Sequence, residues 1–131
     1  MSDTQAPEIV EHISALSFDA TVERLVQTIA GRGMTIFARI DHAANARDVG
    51  MTMPPATVLI YGNARGGTPI MLATPSAALD LPLHVLVQQR ADGKAVITYH
   101  PIATTLRRAG VPEDLVSRLG PAQQMLPAAI S

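Results

Sequence analysis

The chain has 131 residues, 10 Lys and Arg against 11 Asp and Glu, a formal net charge of -1, no Cys and no Trp; 47% of it is hydrophobic and 3% aromatic. That length fits one domain able to bury roughly 65–70% of its unfolded surface, enough to fold without a disulfide or metal staple. The missing Cys excludes disulfides, zinc–thiolate and iron–sulfur sites and a thiol nucleophile; the near-neutral charge argues against a general nucleic-acid or anionic-membrane binder; the apolar fraction argues against disorder.

Residues 1–8 are polar and lack the apolar stretch of a secretory signal. The longest apolar runs, such as Ala56 to Tyr61, fall far short of the ~20 residues of a membrane helix. The expectation is a soluble, cytoplasmic single domain over residues 1–131, with no membrane or nucleic-acid partner and no cofactor.

Residues 8–14 alternate as a first strand does. Ser17 suits a helix N-cap and Asp19 its first turn. Val22, Leu25, Val26, Ile29 and Ala30 then follow the spacing of a buried helical stripe, stopped by Gly31 and Gly33. Met34, Ile36, Ala38 and Ile40 alternate with Thr35, Phe37, Arg39 and Asp41, which predicts a second strand with one apolar face. Ala43 to Val49 offers two helical turns ended by Gly50. Thr57 to Tyr61 is almost wholly β-branched or apolar, as in a central strand buried on both faces. Thr68-Pro69 reads as an N-cap and first helical residue, and Pro75 keeps that helix short.

A strand from Pro82 to Gln89 and another from Lys94 to His100 flank Ala91-Asp92-Gly93, a three-residue hairpin loop with Gly93 left-handed. In that register Val85, Val87, Ile97 and Tyr99 share a core face. His84, Leu86, Gln88, Val96, Thr98 and His100 share the other, with His84 opposite His100. Helices are expected over Ile102 to Ala109 and Pro112 to Leu119, with Pro121 and Pro127 punctuating the tail. The order β-α-β-β-β-β-α argues for an α+β domain, mainly antiparallel, with helices packed on one sheet face.

Three blocks carry a resemblance. They are Phe37-Ala38-Arg39-Ile40-Asp41-His42-Ala43-Ala44 with Gly50, the run from Pro55 to Met71, and Ala78-Leu79-Asp80-Leu81-Pro82-Leu83 with Asp92-Gly93-Lys94 and Tyr99. Together, over about residues 9–110, they resemble the bacterial and archaeal Domain of Unknown Function 302 family, leaving 111–131 as a helical C-terminal extension. The resemblance implies a strand-helix-four-strands-helix domain similar in class to TATA-binding-protein-like folds, and a homodimer. It implies no established reaction. Members often carry an aromatic and acidic residues where this chain has Gln88-Gln89.

Candidate chemistry is sparse. Gly62-Asn63-Ala64-Arg65-Gly66-Gly67-Thr68-Pro69 reads as a strand end, a glycine-rich loop and a helix start, able to hold an anion on free backbone N–H groups and Arg65. It matches neither a Walker A loop nor a dinucleotide fingerprint, and the same residues also serve as a tight turn closed by Asn63. His42 stands where a strand gives way to a loop and suits acid–base chemistry. Asp41 points the other way on a strand, so a partner would come from elsewhere, Asn63 and Tyr99 among the choices. The His84/His100 pair lacks a third metal ligand, and no metal site is expected. Met51, Met53, Met71 and Met125 read as core or interface filler.

No Gly-x-Ser-x-Gly or His-Glu-x-x-His occurs. The leading expectation is a homodimeric module binding a small anionic ligand through His42, Asn63, Arg65, Gly66, Gly67, Thr68 and Tyr99. One alternative is an enzyme of unrecognised type with His42 as acid/base. Another is a protein–protein interaction domain using the second sheet face around Leu86, Val96 and Thr98.

Overall fold

In the computed structural model, which describes residues 8–131, strand β1 (Val10–Ile13) leads into helix α1 (Phe18–Gly31). The stretch read above for a signal lies, apart from Glu8, outside the described residues. Ser17 caps α1 as expected: its hydroxyl accepts the Ala20 N–H at 3.2 Å. Val22, Leu25 and Ile29 form the buried stripe. After α1 come β2 (Thr35–Asp41), α2 (His42–Asp48), β3 (Ala56–Gly62), α3 (Ala64–Ala73), a 3-10 turn (Pro75–Leu79), β4 (Leu83–Gln89) and β5 (Ala95–Tyr99). The chain closes with α4 (Ile102–Arg108), α5 (Glu113–Val116), a second 3-10 turn (Ser117–Leu119) and α6 (Pro121–Ala129).

The five strands form one sheet in the order β1-β5-β4-β3-β2, every neighbour antiparallel. Helices and sheet enclose a single apolar cluster, in which Leu25 of α1, Leu106 of α4 and Leu126 of α6 meet Leu59, Val85 and Ile97 of the strands. The architecture is the expected α+β class. The β4–β5 hairpin has the three-residue register, with Leu86 opposite Thr98 and Val87 opposite Ile97. Gly93 at its turn sits at φ 86°, where a side chain would be strained.

Four expectations need correction. The first concerns β2, whose alternation breaks at a bulge: Ile36 lies opposite Tyr61, but Ala38 lies opposite Ile60. The extra residue, Phe37, shifts the register by one. Ile36 therefore shares the core face with Tyr61, whereas Ala38 and Ile40 fall on the opposite face. Arg39 comes to the helix side and pairs with Glu23 of α1 at 2.7 Å.

The second concerns β3, which lies inside the sheet between β2 and β4 but is not buried on both faces, since Val58 and Ile60 stay half-buried. The third is the start of α3, which begins at Ala64 with Asn63 as its cap, four residues before Thr68. The fourth is Pro127, which lies inside α6 rather than ending it. A proline near a helix C-terminus forfeits only one backbone hydrogen bond, and packing offsets that loss.

Candidate functional site

A cavity of about 500 Å3 opens beside the first turns of α3. Four separate stretches of chain wall it: Arg32 to Phe37, Gly62 to Met71, Leu81 to Leu83, and Arg118 to Met125. Leu83 and Met125 are buried and form its deep end, while Arg32, Phe37 and Arg118 are exposed and stand at its mouth. The β2 bulge brings Phe37 there, since re-aiming a side chain is what an extra strand residue does.

The glycine-rich segment supplies one wall as helix, not as loop. Asn63 Oδ1 accepts the Gly66 N–H at 2.7 Å, and the Asn63 carbonyl accepts the Gly67 N–H at 3.1 Å. Those bonds satisfy helix donors that would otherwise face a ligand. The glycines serve close approach. A Cβ on Gly66 would stand 3.2 Å from Leu119 Cδ2, and one on Gly67 would lie 3.8 Å from Leu81 Cδ1 and Met71 Cε. The side chain that Gly67 lacks is thus part of the open volume.

Electrostatically the wall is one-signed. Arg32 and Arg118 line it, and no Asp or Glu does. Ion pairs among the described residues join Arg39 to Glu23, Arg90 to Asp92 and Arg107 to Glu113, and leave Arg32 and Arg118 without one. Behind the wall, the Tyr61 hydroxyl donates to the Ala122 carbonyl at 2.8 Å. Burial, reinforced by Tyr99, pushes the Tyr61 phenol far above its ordinary range. It therefore remains a donor and ties the start of α6, where Ala122 lines the cavity, to the sheet.

Of the residues singled out in the sequence, Asn63, Gly66, Gly67 and Thr68 meet in this wall. Arg65 does not. Helical spacing puts Ala64, Gly67, Thr68 and Met71 on one face and turns Arg65 from it. His42 is the exposed first residue of α2; its side chain makes no hydrogen bond among the described residues and does not line this cavity. Asp41 caps that helix, accepting the Ala44 N–H at 2.9 Å. Tyr99 sits half-buried on β5, its ring centroid 6.3 Å from that of His12, and burial raises its phenol.

The β4–β5 ladder stops at Leu86–Thr98, short of His84 and His100. Pro101 ends the strand, and His100 Nδ1 instead lies 2.9 Å from the Glu8 carbonyl. His100 joins Glu8, Asp80 and Arg108 in a second, polar cavity of about 400 Å3. Among the described residues no three His, Asp or Glu cluster as metal ligands. Sequence reasoning missed Arg32, Phe37, Arg118 and Leu119. Their signal is spatial, because each belongs locally to a helix end, a strand or a tail turn.

A family model described as Domain of unknown function DUF302 matches residues 10–131. The chain is 34% identical over 88 residues to a protein of Brucella suis biovar 1 (strain 1330) named Fluoride-specific ion channel FluC 1, and equally to one of Brucella melitensis biotype 1 named Fluoride-specific ion channel FluC 2. Each match takes 67% of this chain but 35% and 33% of those proteins, so the chain spans about a third of the length of the curated relatives it matches. Among the described residues no helix is long and apolar enough to cross a membrane. The fold is similar to the crystal structure of an uncharacterised conserved DUF302 protein from Bacillus stearothermophilus, at TM-score 0.80 and 15% identity, covering 93% of this chain and 94% of that one.

Proposed function

The chain belongs to the DUF302 family, and we propose that it is a homodimeric module that binds a small anionic molecule in the cavity beside α3. The observation that carries this reading is the cavity itself: about 500 Å3, largely apolar, with two arginines at its mouth and no carboxylate in its wall. Sites of that volume with a few placed polar groups suit small organic ligands. Asn63, Gly66, Gly67 and Thr68 serve it as wall, and Arg32 and Arg118 supply the charge.

The relatives named as fluoride channels raise fluoride as the ligand. A bare fluoride ion needs short donors converging on a space of atomic size, and a wide pocket walled by methionine and leucine gives no such cage. An organic anion fits better.

The test is a titration with anilinonaphthalenesulfonate, an apolar anionic dye that fluoresces when desolvated. The expected result is saturable binding of one dye per chain. Gly67→Leu fills the cavity where only ordinary van der Waals contacts await a Cβ, and replaces a mid-helix glycine that costs about 1 kcal/mol. That variant should melt no lower than the parent and lose at least tenfold in dye affinity. Unchanged affinity in a folded Gly67→Leu protein would remove the reading.

The dimer reading rests on the sheet face away from the helices. Val58, Ile60, Leu86 and Thr98 are half-buried there, and Ile13 is 54% exposed. An apolar face of this kind suits a two-fold contact with a second copy. Sedimentation velocity at micromolar concentration should give a dimer, and Leu86→Lys a folded monomer. A monomeric parent would refute it.

A further inference from the structure

We infer that the ligand of this cavity is a medium-chain amphiphile, a single carboxylate head on an unbranched apolar tail. The inference rests on the binding reading above and narrows it by chemistry. Polarity changes along the cavity. Arg32 and Arg118 stand exposed at the mouth, and Leu83 and Met125 are buried at the deep end. A molecule lying along that gradient must be charged at one end and apolar at the other.

The wall also excludes other classes. Asn63 spends its amide oxygen on the Gly66 N–H, which leaves the Thr68 hydroxyl and the Asn63 amino group as the neutral polar side chains lining the space. A sugar or a nucleotide would bury hydroxyls and ring nitrogens without partners, at roughly 1–3 kcal/mol for each. An amino acid or a polyamine would bring its cation to a site that already holds two cations and no carboxylate. Phe37 is the one aromatic residue lining the cavity, and it stands at the mouth, so a flat ring gains burial at the deep end but no aromatic partner there.

What the deep end does offer is thioether and branched alkyl. Met34, Met71 and Met125 line the cavity with Leu81 and Leu83. Methionine walls adapt their rotamers to an irregular, flexible guest. A methylene takes about the room of one water, ~30 Å3, so a tail of about ten carbons fits the volume with space for the head.

The experiment displaces the bound dye with decanoate, decanol and butyrate, read by fluorescence and by calorimetry. Decanoate should displace it with an affinity at least tenfold above that of decanol. Affinity should rise about fourfold with each methylene between butyrate and decanoate, the gain expected from burying one CH2. Arg32→Gln combined with Arg118→Gln alters two exposed residues, so the variant stays folded. It should weaken decanoate tenfold or more and leave decanol unchanged. Added salt should weaken decanoate binding in the parent more than in that variant.

Equal binding of decanol and decanoate overturns the carboxylate head, and equal binding of butyrate and decanoate overturns the tail. In either case dye uptake blocked by Gly67→Leu still stands. Loss of dye uptake itself, or uptake indifferent to Gly67→Leu, overturns the cavity reading and this inference with it.

Discussion

Deletion of residues 121–131 should give a chain without a cooperative thermal transition. Those residues hold α6, and Met125, Leu126 and Ile130 are no more than 6% exposed within the common core. Burying side chains of that size contributes about 1.5–3 kcal/mol each. The three together approach the whole stability of an ordinary domain, about 5–15 kcal/mol. The deletion also uncovers the face of α1 that packs on α6 and removes the carbonyl that receives the Tyr61 hydroxyl. Circular dichroism should show a broad, non-sigmoidal melt, and amide exchange should lose protection across α1 and the central strands. Leu126→Ala grades the same effect, lowering stability by about 2–5 kcal/mol while keeping a two-state transition. A deletion chain that melts sharply within a few degrees of the parent would show α6 to be an accessory.

The deletion also tests how the sequence is best divided. The blocks that carry the family resemblance end near residue 110, yet the family match runs to 131, and Val111, Val116 and Leu126 pack with the strands. Pro121 and Pro127 suggest a broken tail because proline punctuates a sequence. Here Pro121 occupies the first turn of α6, where a missing N–H costs nothing.

Local signals were readable wherever a single element decided them. Ser17 caps α1, the stripe from Val22 to Ile29 faces the core, and Asp92-Gly93 sets the hairpin register. Signals that depend on two elements were not. A strand read alone gives no sign of the bulge at Phe37, because the extra residue exists only relative to β3. The glycine run looks like an anion loop until Leu119 is placed 3.2 Å from the Cβ position of Gly66. It is then helix held against a neighbour. Arg32 and Arg118 are 86 positions apart in the sequence, and only folding brings both to one cavity.

Gln123→Leu should cost about 2–4 kcal/mol, a large effect for one substitution of similar volume. Gln123 is 6% exposed. Its side-chain N–H donates to the His100 carbonyl and its Oε1 accepts the Ile102 N–H, both at 2.9 Å. Ile102 opens α4, whose N-cap Pro101 has no side-chain oxygen to give. Gln123 of α6 therefore does the work of an N-cap from another helix and closes the strand end at the same time. Leucine leaves the Ile102 N–H buried and unpaired and the part-buried His100 carbonyl without its donor, and a buried orphan of this kind costs roughly 1–3 kcal/mol.

Gln123→Glu separates the two bonds. A carboxylate still accepts from Ile102 but has no hydrogen for the His100 carbonyl, whereas the protonated acid has one. Burial raises that carboxyl above its unfolded value of about 4.3. Above this value the folded state then holds a proton that the unfolded state has released, so stability falls as pH rises. Chemical denaturation should find Gln123→Glu close to the parent near pH 4 and clearly weaker at pH 7, while Gln123→Leu shows the same deficit at both.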